Sequence, residues 1–437
     1  MRKAPEIVIP RGVELPEVET VVLANGLPVH LIRTAGQEVA RVSLVWAAGS
    51  AVQTAAGLKP FTASATLNLL AEGSTSGLSS HEIAERLDFV GSYFDVSIDR
   101  DYAVATFCSL EKFFAPTLEM IGEIVLRPAF PDDEVALYAR KRMERLAMER
   151  AKPATRAREM FSAALFGDGH PYGISSPESD YMSLGRADVA RFYERYYGAA
   201  GCFAVCSLGD DSAQREALLA LLAEMPCGGT AAGSGGFPEP KSAARRVEQV
   251  EGAVQSAIRV GRLLFPREHP DFVGMQVVAT ILGGYFGSRL TQNLREQRGY
   301  TYGVMAAMVN LREAGYLAIA SEVAAEATGD AIEQIFVEME RLRVEPMPED
   351  ELENVRRSMV GEVMRILDGP FGIVDVVIEN IQISGGRGGS REGEGSARDY
   401  INRFIAEVES ISPERVMELA RRYLGCEGFT TVVVGRE

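Results

Sequence analysis

Two segments of this 437-residue sequence end in the same way, and this repeat constrains the fold more than any other feature. Residues 188–209 read as an amphipathic helix, a turn and an apolar strand that closes on a glycine, and residues 415–435 repeat that order. The shared positions are Arg195, Tyr196 and Gly198 in the first copy and Arg422, Tyr423 and Gly425 in the second. Such self-similarity predicts two related domains within one chain.

The rest of each copy contains both the hydrophobic period of a helix and the alternation of a strand. Helical patterns occupy residues 133–151 and 348–367, whereas alternating patterns typical of strands occupy residues 101–108 and 315–322. This mixture favours an α+β fold, in which helices pack on one face of a mostly antiparallel sheet. Two such copies would form a clamshell with a cleft between them.

A stretch rich in glycine, small residues and proline lies between the copies at residues 227–243 and is typical of a linker. We therefore predict an N-terminal domain at residues 1–226 and a C-terminal domain at residues 244–437. A second glycine-rich stretch, residues 384–399, interrupts the second copy and has the composition of a mobile loop. Its role, functional or merely an insertion, is left open.

Composition narrows the class of protein. The formal charge of −16 argues against nucleic acid as a partner, because nucleic-acid binding needs a basic face. No apolar run approaches the 18 residues that cross a membrane, and residues 1–20 lack the apolar core of a signal peptide. A cytoplasmic protein is therefore expected, or a periplasmic one if an export signal has been removed. The five cysteines are scattered and suggest free thiols: Cys108, Cys202, Cys206, Cys227 and Cys426.

The histidines do not form a recognisable catalytic motif. The stretch "HEIAE" begins at His81 but has Glu85 where a zinc-binding HExxH motif has its second histidine, so we interpret it as a helix start. His30 lies in a strand pattern, while His170 and His269 each precede a proline. The chain also lacks a GxSxG serine elbow and a P-loop.

One segment nevertheless has the composition of a binding site. In "LGGYFGSRLTQNLREQRGYTYGV", residues 282–304, Arg295 and Tyr302 stand seven residues apart behind a glycine-rich turn. Gly283, Gly284 and Gly287 in that turn would allow a bound ligand to approach the backbone closely. The residues by themselves leave two interpretations open, a ligand-binding pair or an ordinary surface arginine beside a core tyrosine.

The sequence resembles the M16 family of zinc peptidases, which includes pitrilysin and the mitochondrial processing peptidases. The resemblance runs through most of the chain and is most specific at residues 282–304. The other matching segments are "NGLPVHLIR", residues 73–95, residues 127–146 and "LFGDGHPYG". The resemblance to the M16 family implies that Arg295 and Tyr302 bind substrate and stabilise the transition state, facing a zinc site across the cleft.

The chain departs from the family at the zinc motif. Catalytic members carry HxxEH on the first long helix, shortly before a turn like residues 72–75, whereas Ser64, Leu67 and Asn68 fall there in this chain. Without two imidazoles and a glutamate base, neither zinc nor an activated water is expected here. The helix at 133–151 offers three carboxylates near the family's third ligand, which are Glu134, Glu144 and Glu149.

This pattern resembles the non-catalytic subunit of bacterial heterodimeric M16 peptidases. The resemblance implies a partner subunit that carries HxxEH and zinc, a peptide substrate, and no cofactor in this chain. Two alternatives remain at this level, which are a structural subunit that kept the fold, like the core proteins of a respiratory complex, and an autonomous peptide-binding module. The sequence also leaves open whether the isolated chain forms a homodimer.

Overall fold

The computed structural model describes residues 12–34, 38–229, 244–383 and 397–436, and within these ranges eleven strands form two sheets. The strands are β1 (Val18–Val22), β2 (Pro28–Arg33), β3 (Val39–Trp46), β4 (Tyr93–Ile98), β5 (Ala103–Leu110), β6 (Cys202–Leu208), β7 (Arg245–Gln249), β8 (Gln255–Leu263), β9 (Thr301–Asn310), β10 (Gly315–Ala324) and β11 (Thr430–Gly435). The first six strands build the first sheet, and the last five build the second.

The described helices surround these sheets. They are α1 (Ser50–Ala55), α2 (Thr62–Asn68), α3 (Ser80–Phe89), α4 (Phe114–Ile121), α5 (Asp132–Arg150), α6 (Pro153–Phe166), α7 (Arg186–Tyr196), α8 (Ser212–Ala223), α9 (Phe272–Ala279), α10 (Thr328–Val344), α11 (Glu349–Ile366), α12 (Pro370–Ile383), α13 (Ala397–Ser410) and α14 (Pro413–Tyr423). The two long helices predicted from the sequence are α5 and α11. Within the described ranges, no helix is both long and apolar enough to cross a bilayer.

The two sheets share one strand order. The first runs β1-β2-β6-β3-β5-β4 and the second β7-β11-β8-β10-β9, so that each strand from β2 to β6 has a counterpart five strands later. The pairs β2/β6 and β7/β11 are parallel, and the other pairs are antiparallel. The helix–strand endings matched in the sequence therefore occupy equivalent places. The predicted α+β class with mostly antiparallel sheets is confirmed.

Each sheet is also covered on its second face, by a helix from the other half. On β6, Ala204 packs with the helices of the first half, whereas Phe203 and Val205 join a core that includes Ile378 and Ile381 of α12. Alternation of side chains along a strand produces this two-sided burial. The first sheet is thus held between its own helices and a helix supplied by the second half.

The reciprocal contact is made by α6, which packs on β8 and β11 of the second sheet. Phe161 of α6 is buried against this sheet together with Val432 and Val434. A Cβ at Gly261 would lie 2.7 Å from the Phe161 ring and 2.1 Å from the Leu317 carbonyl oxygen, so only glycine allows this approach. Truncation of a buried phenylalanine costs about 3–5 kcal/mol, and Phe161 is therefore a major link between the halves.

Polar contacts also join the two halves of the chain. Arg41 of β3 donates to the Phe371 carbonyl oxygen at 2.9 Å and forms an ion pair with Asp375 of α12. The buried Asp101 carboxylate accepts hydrogen bonds from the Tyr172 hydroxyl at 2.7 Å and from the Arg312 backbone at 2.9 Å. The turn between β9 and β10 is consequently tied to the first half. Two glycine-rich stretches of the sequence analysis lie largely outside the described residues, namely 230–243 and 384–396.

Candidate functional site

Arg295 lies on a short π-helical segment, Thr291–Gln297, directly before β9. Gly299 ends this segment with a φ of +65°, a left-handed conformation that favours glycine. The turn lets the Tyr300 amide donate to the Leu294 carbonyl oxygen at 2.8 Å, which satisfies one of the carbonyl groups at the helix end. Because π-helical turns often occur at functional sites, this local geometry supports a special role for the segment.

A buried polar network holds the π-helical segment from behind. The Asn293 side-chain amide donates to Glu338 of α10 at 2.8 Å, and both residues are buried. The Asn293 side-chain Oδ1 in turn accepts from the Arg298 Nε at 2.9 Å, and Arg298 pairs with Asp330 at 3.0 Å. These bonds orient the backbone of the segment, so that Arg295 projects from a fixed base.

The Arg295 side chain is itself half exposed. Its guanidinium carbon lies 5.0 Å from the ring centroid of Phe286, and its Nε lies 3.3 Å from Glu296 Oε1. An arginine over an exposed aromatic ring gains about 0.5–1 kcal/mol. Among the described residues neither terminal amine of Arg295 makes a hydrogen bond, so its two-donor fork is available to a ligand.

Tyr302 is turned out of the sheet by a β-bulge. The pairing of β9 with β10 shifts here, so that Tyr302 and Gly303 together face the single residue Glu322. The Thr301 hydroxyl accepts from the Gly303 amide at 3.0 Å, and the Ser321 hydroxyl donates to the Gly303 carbonyl oxygen at 2.9 Å. These side chains satisfy the displaced backbone groups. The Tyr302 side chain is 91% exposed as a result.

The three glycines predicted to contact substrate have different surroundings. Gly283 is buried, and a Cβ there would lie 2.6 Å from the Ala306 backbone nitrogen, so this glycine is needed for contact with β9. Gly284 and Gly287 are exposed, and a Cβ at Gly287 would lie 2.7 Å from the Tyr285 ring. Packing within the chain accounts for Gly283, and substrate contact by the three glycines stays a prediction.

The residues that replace the zinc motif lie on α2 and do not fit a metal. Leu67 is completely buried in the core of the first half. The Asn68 side-chain amide donates to the Ser64 carbonyl oxygen at 2.8 Å, so it is bonded back to the preceding turn of its own helix. Among the described residues, no group of three or more histidine, cysteine, aspartate or glutamate side chains could hold a metal ion.

The carboxylates of α5 are likewise engaged elsewhere or exposed. Glu134 accepts from the Ser80 hydroxyl at 3.2 Å, Glu149 pairs with Arg145 at 2.9 Å, and Glu144 is exposed. A row of aromatic and cationic groups lies beside α2 and α5 instead. Its successive contacts are Phe61 stacked on Tyr181 at 3.9 Å, Tyr181 against Tyr138 at 6.2 Å, and Tyr138 under Arg142 at 5.8 Å. Burial raises the pKa of Tyr138 to about 12, so this phenol stays neutral.

Known proteins resemble this chain at the level of family and fold. Residues 183–359, which include the whole Arg295–Tyr302 segment, match the family model described as "Peptidase M16 inactive domain". These matches support the assignment of the chain to the M16 peptidase family. The resemblance noted in the sequence is thereby confirmed.

Curated relatives match along most of their length. "Uncharacterized zinc protease YmxG" of Bacillus subtilis is 22% identical over 352 residues, which are 80% of this chain and 82% of the relative. "Uncharacterized zinc protease MT2852" of Mycobacterium tuberculosis is 26% identical over 360 residues, 80% of this chain and 78% of the relative. The crystal structure of a peptidase M16 inactive domain from Pseudomonas fluorescens superposes with a TM-score of 0.83 at 22% identity, covering 96% and 98% of the two chains, and so has the same fold.

Two features of this M16 surface were not predicted from the sequence. Phe286, which supports the Arg295 side chain, stands between glycines as an exposed aromatic residue, a signal that could have identified it. The bulge at Tyr302 had a signal as well, because Gly303 interrupts an otherwise apolar strand. With them the predicted pair becomes a group of four, which are the half-exposed Arg295 and the exposed Phe286, Tyr302 and Gly303.

Proposed function

We propose that this chain is the non-catalytic, substrate-binding subunit of a heterodimeric M16-type zinc endopeptidase. One observation carries the proposal: Arg295 and Tyr302 both project outward from supported backbone, while α2 lacks every zinc ligand of the motif. A purely structural subunit would not require an exposed arginine–tyrosine pair on a bulge and a π-helical turn. A single chain with this α2 helix could not activate water with zinc.

The chemistry assigned to the pair is hydrogen bonding to a peptide carbonyl. A planar guanidinium donates two parallel hydrogen bonds, and a phenol donates one. Donors aimed at a carbonyl oxygen stabilise the negative charge that develops there during attack. Zinc and its bound water would belong to a partner subunit that carries HxxEH. Arg295 and Tyr302 would hold the scissile peptide in place.

The names of the relatives suggest which subunit would carry the zinc site. Several are named as zinc proteases, and the residues of α2 in this chain cannot supply the metal site. The proposal therefore assigns the metal to a second M16 chain. We further propose a cytoplasmic location, since the cysteines of the described chain are free thiols, as expected in a reducing compartment.

The test is reconstitution with an HxxEH-bearing M16 subunit from the same genome. The chain alone is expected to hold no stoichiometric zinc and to cleave no peptide, whereas the pair should hydrolyse an unstructured peptide in a chelator-sensitive reaction. One tightly held zinc per isolated chain, together with proteolysis, would refute the proposal. A stable pair that is equally active with Arg295→Ala would instead support the structural-subunit alternative.

A further inference from the structure

A buried carboxylate lies beside the segment that carries Arg295. Glu338 of α10 is 3% exposed, and its Oε1 accepts from the Asn293 side-chain amide at 2.8 Å. The same carboxylate pairs with Arg341, three residues later on α10, at 3.2 Å. Burial of a carboxylate is unfavourable unless its oxygens are paired and hydrogen-bonded, and an apolar side chain of similar volume is often as stable in such a place. The glutamate at position 338 therefore calls for a role beyond the packing of α10.

Asn293 and Arg298 bracket Arg295 and are joined to each other twice. The Arg298 backbone amide donates to the Asn293 backbone carbonyl oxygen at 3.1 Å, and the Arg298 Nε donates to the Asn293 side-chain Oδ1 at 2.9 Å. The Gly299 amide adds a hydrogen bond to the Arg295 carbonyl oxygen at 3.2 Å. Arg295 is thus held in a short closed loop. One of the two hydrogen bonds that close the loop depends on which way the Asn293 side-chain amide is turned.

Glu338 decides the orientation of the Asn293 amide. An ionised carboxylate only accepts hydrogen bonds, so the amide must turn its nitrogen to Glu338 and its oxygen to Arg298. A guanidinium only donates, so the reversed amide would set two donors against each other at Arg298. The amide nitrogen also lies 3.3 Å from the Gln334 Oε1, but this neutral side chain could present either an acceptor or a donor. The fixed acceptor is therefore the carboxylate of Glu338.

We propose that Glu338 is a positioning residue for Arg295. Its carboxylate sets the Asn293 amide, the amide closes the loop on Arg298, and the loop holds Arg295 where it meets the peptide carbonyl. This inference rests on the proposed function for the part that Arg295 plays in turnover. Loss of the carboxylate should leave Arg295 present but poorly placed, which lowers kcat more than it raises KM.

The first experiment uses the isolated chain and needs no partner subunit. Glu338→Gln keeps the shape of the side chain but adds a donor, so the Asn293 amide loses its fixed orientation. Amide hydrogen exchange of residues 291–300 should then become about tenfold faster, as expected for loss of a hydrogen bond to a charged group. Glu340→Gln is the matched control, because it makes the same change on α10 at a side chain that is 45% exposed and pairs with Arg343. This control should leave exchange of residues 291–300 unchanged.

A double variant tests the order of donors and acceptors directly. When Glu338→Gln is combined with Asn293→Asp, the new amide can donate to the new carboxylate, whose other oxygen still accepts from Arg298. The double variant should recover wild-type exchange at residues 291–300, whereas Asn293→Asp alone sets two carboxylates against each other and should not. Thermal unfolding verifies folding, and the double variant decides if Glu338→Gln alone does not fold. Wild-type exchange in Glu338→Gln, or a double variant that exchanges fast or does not fold, would overturn the inference.

Kinetics of the reconstituted pair separate the positioning role from the proposed function. Glu338→Gln should lower kcat about tenfold with little change in KM, and it should cause no further loss when it is combined with Arg295→Ala. If Arg295→Ala leaves turnover unchanged, the proposed function fails. If Arg295→Ala lowers turnover but Glu338→Gln does not, or if their losses are additive, the positioning role fails and the proposed function stands.

Discussion

The Arg295 guanidinium lies 5.0 Å from the ring centroid of Phe286, and both side chains are open to solvent. The aromatic ring supports one face of the arginine, while the hydrogen-bond network of Asn293 holds the backbone beneath it. This arrangement restricts the arginine without using its terminal donors. A pre-positioned donor loses less entropy on binding than a freely rotating one, so the relationship suits recognition of a peptide carbonyl.

Replacement of Arg295 should reduce peptidase activity of the reconstituted pair. Arg295→Ala is expected to lower kcat/KM by about 10²–10³, the usual effect of removing one donor to a developing oxyanion. Arg295→Lys should not restore full activity, because an ammonium group cannot reproduce a planar two-donor fork. Steady-state kinetics measure the effect, and size-exclusion chromatography verifies assembly. Activity within about twofold of wild type for both variants would contradict this role.

Tyr302→Phe separates function from stability. The side chain is 91% exposed, so loss of its hydroxyl should change the free energy of unfolding by less than about 0.5 kcal/mol. Turnover by the reconstituted pair should nevertheless fall by about 10²-fold if the phenol donates to the transition state. Urea unfolding of the isolated chain and kinetics of the pair measure the two quantities. An equal loss of stability and activity would indicate a structural tyrosine.

Thr301→Val tests whether the bulge presents Tyr302. The substitution keeps the side-chain shape but removes the hydroxyl that accepts from the Gly303 amide. Loss of these partly exposed hydrogen bonds to Gly303 and Glu322 should destabilise the chain by about 0.5–1.5 kcal/mol and lower turnover. If the effect acts through Tyr302, Thr301→Val should cause little further loss of activity in a Tyr302→Phe background. Additive losses in that double-mutant cycle would show that the bulge acts independently of Tyr302.

Restoring the zinc motif on α2 should fail at Leu67. This side chain is completely buried, so Leu67→Glu would place a carboxylate in the core of the first half. Loss of the leucine packing and burial of the new group should destabilise the chain by at least about 3 kcal/mol. Urea unfolding measures the change, with Leu67→Met as the control of similar volume. A stable Leu67→Glu variant would show that α2 can reopen toward a metal site.

His30 should make stability depend on pH. It is buried on β2, its Nδ1 lies 2.9 Å from the Thr20 hydroxyl, and burial lowers its pKa to about 4. The unfolded chain takes up the proton near pH 6.5 but the folded chain does not, so stability is lost as pH falls from 6.5 to about 4. Between pH 7 and pH 5 the loss should be about 2 kcal/mol.

Urea unfolding of His30→Gln across this pH range checks the assignment. The variant should show a flatter pH dependence than the wild type, because the titrating imidazole is gone. The exposed His81→Gln variant, which removes a histidine from the surface, should retain the wild-type slope. A slope that persists in His30→Gln would assign the pH dependence to other groups.

Much of the site was within reach of the sequence, because its signals are local. Arg295, Gly299 and Tyr302 stand within eight consecutive residues, and glycine at position 299 indicates a left-handed turn. The absence of histidine from α2 is also evident from the sequence alone. The hydrogen-bond network that supports Arg295 could not be predicted from the sequence. Glu338 lies 45 residues from Asn293 and reaches it only through the packing of α10.

The sequence by itself determined the repeated order of helices and strands and the apolar runs that become β6 and β11, because these patterns depend on neighbouring residues. Only the tertiary structure decided that α6 and α12 are exchanged between the halves and that Tyr302 stands on a bulge. Such contacts join distant segments, and no local pattern specifies which of the many compatible pairings buries the most apolar surface while satisfying the backbone.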